Sequence, residues 1–279
     1  ELLSSIETRY LVDATGDAKI CEKLNCDFLE KKSQPINLRF IMSGINVKEF
    51  SDWIMEFDKN RDVTTSCTVD GKTYLSTAYT WDKGAVKWAL EPLFKAAIKE
   101  EVITEEDSNY FQLFSVAGTA DSIAFNCPRL VNTSSNAYIA GRQSILRLSN
   151  FCKKYLKGFE NAYISSIANS LGVRVSNRVK GKYVYTQDDL RSGKKFENPV
   201  VISNYPIDIH SDKKNSSKLE KVYQEYQLPI ESLIVNDKLF VVGRFISADF
   251  ESQAALRIIP SCFSMGEGLA KYLAKNISN

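Results

Sequence analysis

Apolar and polar positions change their period several times along this chain, and each change predicts an element. Residues 7–14 form a short, largely apolar run that predicts a strand, and residues 17–24 read as a helix start with Asp17 as its acidic cap. Gln34-Pro35 interrupts the chain. Leu38, Phe40 and Met42 then alternate with Asn37, Arg39 and Ile41, which predicts a half-buried strand over 37–43. Residues 63–77 carry β-rich runs on both sides of Asp70-Gly71, a strong short-range hairpin signal. Helical spacing appears over 84–101 (Val86, Ala89, Leu90, Leu93, Phe94, Ala97, Ile98) and again over 137–156 (Ile139, Ile145, Leu146, Leu148, Phe151, Tyr155, Leu156). A further helix is predicted over 159–171, stopped by Gly172, followed by strands over 173–179 and 182–186. Residues 210–219, rich in serine, lysine and asparagine, predict a surface loop. Two short strands over 228–242 and an amphipathic helix over 265–274 complete the pattern.

Composition narrows the function classes. The 279 residues are 44% hydrophobic and 25% charged, which suits a globular protein with one large or two modest cores. The 36 basic and 34 acidic side chains leave a net charge of only +2, so no broad electropositive field favours nucleic acid or anionic lipid. The 6 cysteines are scattered, without C-x-x-C spacing, and stand beside a single histidine, so neither a metal site nor a disulfide framework is expected. No apolar run approaches the roughly 18 residues of a membrane span, and Glu1-Leu2-Leu3-Ser4-Ser5 lacks the regions of a signal peptide. A cytoplasmic protein is therefore expected. The absence of an initial methionine and the early first strand lead to the further expectation of a preceding segment.

Several motifs recur in a recognisable order: Gly158-Phe159-Glu160, Gly172-Val173-Arg174, Arg178-Val179-Lys180-Gly181-Lys182-Tyr183, Thr186-Gln187-Asp188-Asp189 and Tyr205-Pro206-Ile207-Asp208-Ile209-His210. Together with Ala14-Thr15-Gly16-Asp17 and Gly243-Arg244, this series resembles a family of FAD-dependent oxidoreductases over nearly the whole chain. The resemblance implies FAD as cofactor, a small-molecule substrate and an α/β fold. In that fold a Rossmann-like FAD-binding domain, incomplete here, is built from both chain ends, 1–34 and 229–279, around an inserted α+β substrate domain, 35–228. None of the 13 glycines falls into G-x-G-x-x-G, so a segment before Glu1 or a partner chain is expected to complete the FAD site. Where the family pattern ends M-G-Q-A-A-G, this chain has Met265-Gly266-Glu267-Gly268-Leu269-Ala270. The alternative is a non-catalytic remnant or split subunit that serves as a binding module.

The candidate chemistry follows from that resemblance and from residue types. Ala14, Thr15, Gly16 and Asp17, with Gly243, Arg244 and Ser247, are the expected cofactor-binding residues, because a cofactor across strand ends needs backbone within van der Waals reach. Arg244 suits either a cofactor oxygen or a nearby carboxylate. A helix opening at Gly266 would turn unpaired N–H groups and a positive dipole end toward the flavin, with Glu267 pointing away. Arg174 and Arg178, four apart, share a side of a strand or a helix and suit either an anionic substrate or structural ion pairs. Asn126 and Arg129 are weaker substrate candidates. His210, the one side chain whose ordinary pKa lies near neutrality, stands two residues after Asp208 and is either an acid/base group or an exposed loop histidine. Cys262 is either redox-active or an inert buried thiol.

Overall fold

The computed structural model describes residues 5–57, 64–77, 90–130, 136–210 and 218–277. The chain divides into two compact units, one formed by residues 1–34, 174–210 and 217–279, the other by residues 35–173 and 211–216. The segment that the sequence treats as one insertion, 35–228, is thus shared between them. Among the described residues the architecture is mixed α/β, with small sheets and seven helices.

The first unit opens with β1 (Leu11–Asp13) and the short helix α1 (Lys19–Lys23). The second unit then runs β2 (Ile36–Asn37), β3 (Phe40–Ser43), α2 (Val47–Phe57), β4 (Thr64–Val69), β5 (Lys72–Thr77) and α3 (Glu91–Lys99). It continues through β6 (Leu113–Ser115), β7 (Ile123–Phe125), β8 (Arg129–Leu130), α4 (Ala137–Tyr155) and β9 (Tyr163–Ile167). The first unit resumes with α5 (Gln187–Ser192), β10 (Pro199–Ser203), β11 (Ile207–Ile209), β12 (Lys218–Glu220) and β13 (Tyr226–Pro229). It ends with β14 (Leu239–Val241), α6 (Phe250–Leu256) and α7 (Ile259–Ile277).

In the second unit a six-stranded sheet has the order β4-β5-β6-β7-β3-β9. The hairpin forms as the Asp-Gly signal requires: Val69 pairs with Lys72, and Asp70 and Gly71 both take positive φ, 51° and 74°. Leu38, Phe40 and Met42 are buried, and Phe40 stacks on Phe125 across β3 and β7 with ring centroids 4.5 Å apart. Of the helix predicted over 84–101, residues 90–101 contain α3, which buries Phe94 and Ala97; residues 84–89 lie outside the described residues. The helix predicted over 137–156 is α4, with Ile145, Leu148 and Phe151 in the core.

The helix predicted over 159–171 is instead the strand β9. Its pairing with β3 slips between Ile41 and Met42, which face Ser166 and Ile164, so Ser165 is an extra bulged residue. The bulge places Ile164 and Ile167 on one side at a spacing of three, which in the sequence imitates a helix turn. Gly172 is no helix stop: a Cβ there would lie 2.0 Å from the Asn37 Oδ1, so glycine permits β2 to approach. The strands predicted over 173–179 and 182–186 are not formed either, and only the single bridges Phe28 with Val179 and Tyr185 with Ala248 occur. Their N–H groups go to different neighbours: Val179 donates to Phe245 O, Lys182 to Ile234 O and Tyr185 to Ser247 O. No continuous ladder can follow from such divided donors.

In the first unit β1 and β14 pair in parallel, with Leu11 opposite Leu239 and Asp13 opposite Val241. The two chain ends therefore meet on one small sheet. Val201, Tyr226, Leu228, Val241, Phe245, Ala255, Met265 and Leu269 belong to the core of this unit. The last two residues of the predicted loop, 218 and 219, form β12 together with Glu220 and pair with β11, while residues 211–217 lie outside the described residues. Among the described residues no helix is long and apolar enough to cross a membrane.

Candidate functional site

The carboxyl ends of β1 and β14 release their chains into two turns that touch. After β1, Asp13 governs the local fold. Its Oδ1 accepts from Thr15 N (3.0 Å) and Thr15 Oγ (2.7 Å), and its Oδ2 accepts from Ile20 N and Cys21 N, both at 3.0 Å. Burial works to raise the Asp13 pKa, but the donors, Cys21 N–H and Thr15 foremost, prevail and hold it below the ordinary value. The start of α1 is therefore closed by Asp13 from a distance, not by Asp17 as the sequence suggests. Ala18 occupies the cap position in a left-handed conformation without a side-chain cap bond.

Asp17 turns instead toward the second strand. Its Oδ1 pairs with Arg244 Nη2 at 2.6 Å, so Arg244 takes the carboxylate of its two alternatives. Gly16, at φ +80°, lets the guanidinium lie against the turn: a Cβ there would stand 2.5 Å from Arg244 Nη1. Gly243, at φ +111°, turns the chain just after Val242 N donates to Asp13 O at 3.1 Å. Ala14 and Thr15 are exposed, and Ser247 is fully buried. The structure thus brings Thr15, Gly16, Asp17, Gly243 and Arg244 together.

Gly266 stands elsewhere in its element than expected. α7 begins at Ile259, so Gly266 lies in the helix interior and offers no free N–H end; a Cβ there would meet nothing within 4 Å. Glu267 points outward and pairs with Lys271 at 2.5 Å. The helix that follows β14 most closely is α6, capped by Asp249, whose side chain accepts from Ser252 N at 2.8 Å.

A second polar cluster lies on β11 of the same unit. His210 Nε2 is 3.3 Å from Asp208 Oδ2, and Arg257 Nη2 reaches the same oxygen at 3.3 Å and the Asp208 carbonyl at 2.9 Å. Burial works to raise the Asp208 pKa, yet His210, Arg257 and Arg174 together hold it below the ordinary value, so this carboxylate stays ionised. Tyr205 beside it is pushed up by burial and by Asp208. His210 is 8% exposed, with its backbone N–H donating to Gln34 Oε1 at 3.0 Å, and is thus not an exposed loop histidine.

Arg174 and Arg178 do not form one clamp. Arg178 is buried, with Nη1 on Ala248 O at 3.0 Å and Nη2 on Glu30 O at 2.5 Å, and its charge faces Asp249 and Glu30. Arg174 acts instead on Asp208. Asn126 and Arg129 belong to the second unit. There Asn126 Oδ1 accepts from Arg39 Nε (3.1 Å) and from Asn37, its Nδ2 donates to Gln112 Oε1 (2.8 Å), and Arg129 lies over the Tyr110 ring at 4.0 Å. Burial raises the Cys262 pKa, and its thiol points to Arg257 O at 3.8 Å, as an inert thiol would.

Three residues without an assigned role in the sequence prove central: Asp13, Gln253 and Arg257. Asp13 was legible as the acid ahead of a small-residue turn and a helix; Arg257 meets Asp208 only through the fold. Gln253 is fully buried, and its Nε2 donates to Arg244 O (2.7 Å) and Arg174 O (3.1 Å). Five buried polar atoms without a protein partner, Arg244 Nε, Ser247 Oγ, Ser252 Oγ, Gln253 Oε1 and Arg257 Nε, fall within this one stretch after β14. Unsatisfied buried groups cost about 1–3 kcal/mol each, so this stretch would be stabilised by a polar partner that the chain itself does not supply. The unsatisfied donors and acceptors suit the polar groups of a flavin cofactor, while the space at Gly16 is filled by the Arg244 guanidinium. Among the described residues no group of three or more metal-ligating side chains occurs.

Comparison with curated proteins gave no match, and neither did comparison with solved structures. The model of the FAD dependent oxidoreductase family matches residues 2–278. The chain therefore belongs to the FAD-dependent oxidoreductase family, and FAD is the cofactor that membership implies.

Proposed function

We propose that the first unit forms the Rossmann-like flavin platform of an oxidoreductase that moves a hydride between a small anionic organic substrate and FAD. The observation that carries this reading is the parallel pairing of β1 with β14, which sets the Thr15–Asp17 turn against Arg244. Thr15, Gly16, Gly243 and Arg244 would hold the cofactor, with Asp17 keeping Arg244 in place and Ser247 behind it. When bound, the flavin supplies the two-electron chemistry.

The protein's own part is to bind the substrate and carry the proton. Asp208, kept ionised by its cationic neighbours, is a poor base; it fixes the ring of His210, whose ordinary pKa near neutrality suits proton exchange with a substrate hydroxyl or amine. Arg174 and Arg257 supply positive charge for an anionic substrate group. Arg178 has no place in this reading, because its donors are engaged by backbone carbonyls.

Titration with FAD, followed by flavin fluorescence, tests the platform. Saturable quenching is expected once the FAD site is complete, weakened about tenfold by Gly16→Ala or Arg244→Gln, which corresponds to roughly 1.4 kcal/mol. Equal quenching by all three proteins would remove this turn from the cofactor site. His210→Gln tests the proton role: flavin reduction by substrate should slow while flavin affinity stays constant, and an unchanged rate across pH would remove His210 from the chemistry.

A further inference from the structure

The end of α1 contains a feature that the flavin reading does not use. The helix closes with Asn25 in the left-handed conformation at φ 53°, Cys26 N donating to Cys21 O at 3.0 Å and Asn25 N donating to Glu22 O at 3.2 Å. These two crossed bonds make a Schellman motif, and such a motif places the side chains at its first and last positions side by side. Here those positions are both cysteines. The electrostatics agree independently: burial and Asp13 raise the Cys21 pKa most, and Cys26 is the next neighbour close enough to raise it further. Both are reduced, Cys21 fully buried and Cys26 half-buried. Cys127 and Cys152 also influence one another, but both are fully buried.

We propose that Cys21 and Cys26 are a dithiol modification site that a hydroperoxide converts reversibly to a disulfide. The accessible sulfur of Cys26 attacks one peroxide oxygen, the O–O bond breaks, and water leaves, so that Cys26 becomes a sulfenic acid. The Cys21 sulfur then attacks that sulfur; the S–S bond forms, the S–O bond breaks, and the departing hydroxide takes the Cys21 thiol proton as a second water. Two thiols lose two electrons in all, and one hydrogen peroxide becomes two waters. Asp13, which accepts the Cys21 backbone N–H and also holds Thr15, ties this site to the start of α1.

Lys23 lies between the two cysteines, so tryptic cleavage separates them into the peptides 20–23 and 24–31 and makes the link visible. The protein is treated with hydrogen peroxide, alkylated and mapped without reductant. The expected result is a linked pair of these two peptides, lighter by two hydrogens and abolished by dithiothreitol. Cys21→Ser should replace the link by a Cys26 sulfenic acid that dimedone captures, and Cys26→Ser should leave Cys21 unmodified. The proposal is overturned if Cys26 proceeds to sulfinic acid while Cys21 stays alkylatable, if either cysteine links elsewhere, or if both remain reduced. Should Cys21→Ser fail to fold, the wild-type map and Cys26→Ser decide the matter alone.

Discussion

Replacing Asp13 by Asn leaves the shape of the side chain almost unchanged and removes one acceptor. In the wild type one carboxylate oxygen serves Thr15 and the other serves the first amides of α1, Ile20 and Cys21. An amide has one acceptor oxygen, so one of these pairs is lost and an NH2 group is turned toward it. Hydrogen bonds to a charged acceptor contribute roughly 1.5–3 kcal/mol each, and two lost bonds give about 3–6 kcal/mol, or a fall in Tm of at least roughly 10 °C at about 2–4 °C per kcal/mol. The assay is hydrogen exchange by mass spectrometry across residues 14–24, where Ile20 and Cys21 should lose protection, with urea unfolding as the global measure. The pH dependence follows from the depressed pKa of Asp13. A carboxylate whose folded pKa lies below the unfolded value of 3.8 gives its full stabilisation above that value and loses it as pH falls through the folded pKa. The advantage of wild type over Asp13→Asn should therefore be complete at about pH 7 and diminish as the pH falls through the depressed folded pKa. An advantage that persists undiminished in acid would show that the ionised carboxylate is not what holds the turn.

Two further predictions follow from the same coordinates. Gly266→Ala should raise stability by about 0.5–1 kcal/mol, because the position is interior to α7 and a Cβ meets nothing within 4 Å. Gly268→Ala, on the same helix, should lower the Tm, since its Cβ would lie 2.7 Å from that of Val200; equal effects in thermal melts would contradict the placement of α7. Arg178→Met should cost about 2–4 kcal/mol by stranding the Glu30 and Ala248 carbonyls, whereas Arg174→Gln should cost clearly less and raise the substrate KM. A loss of stability from both arginines alike would return Arg174 to a structural role.

The elements with an unambiguous period were legible in the sequence: the Asp70-Gly71 hairpin, the helix α4, and the strand β3 with its alternating core. The order of motifs from Gly158 to His210 was enough to identify the family. What local patterns could not give was anything decided by a partner far along the chain. Ile164 and Ile167 took a helical spacing because a bulge opposite Ile41 and Met42 absorbed one residue, and a bulge is visible only once two strands are paired. The start of α7 was misplaced because Gly266 looked like a turn glycine, although an interior glycine with open space around it reads identically in sequence.

The sequence by itself determined the family, the cofactor, and the residue types at the turns, since glycine, small side chains and an acid ahead of a helix follow from local backbone demands. Only the tertiary structure decided which of those residues work together. Leu11 and Leu239 become neighbours, Arg244 finds Asp17, Arg257 reaches Asp208, and Arg178 turns away to backbone carbonyls. The physical reason is that hydrogen bonds and ion pairs act over a few ångströms in space, while the chain that supplies their two ends is free to separate them by more than two hundred residues.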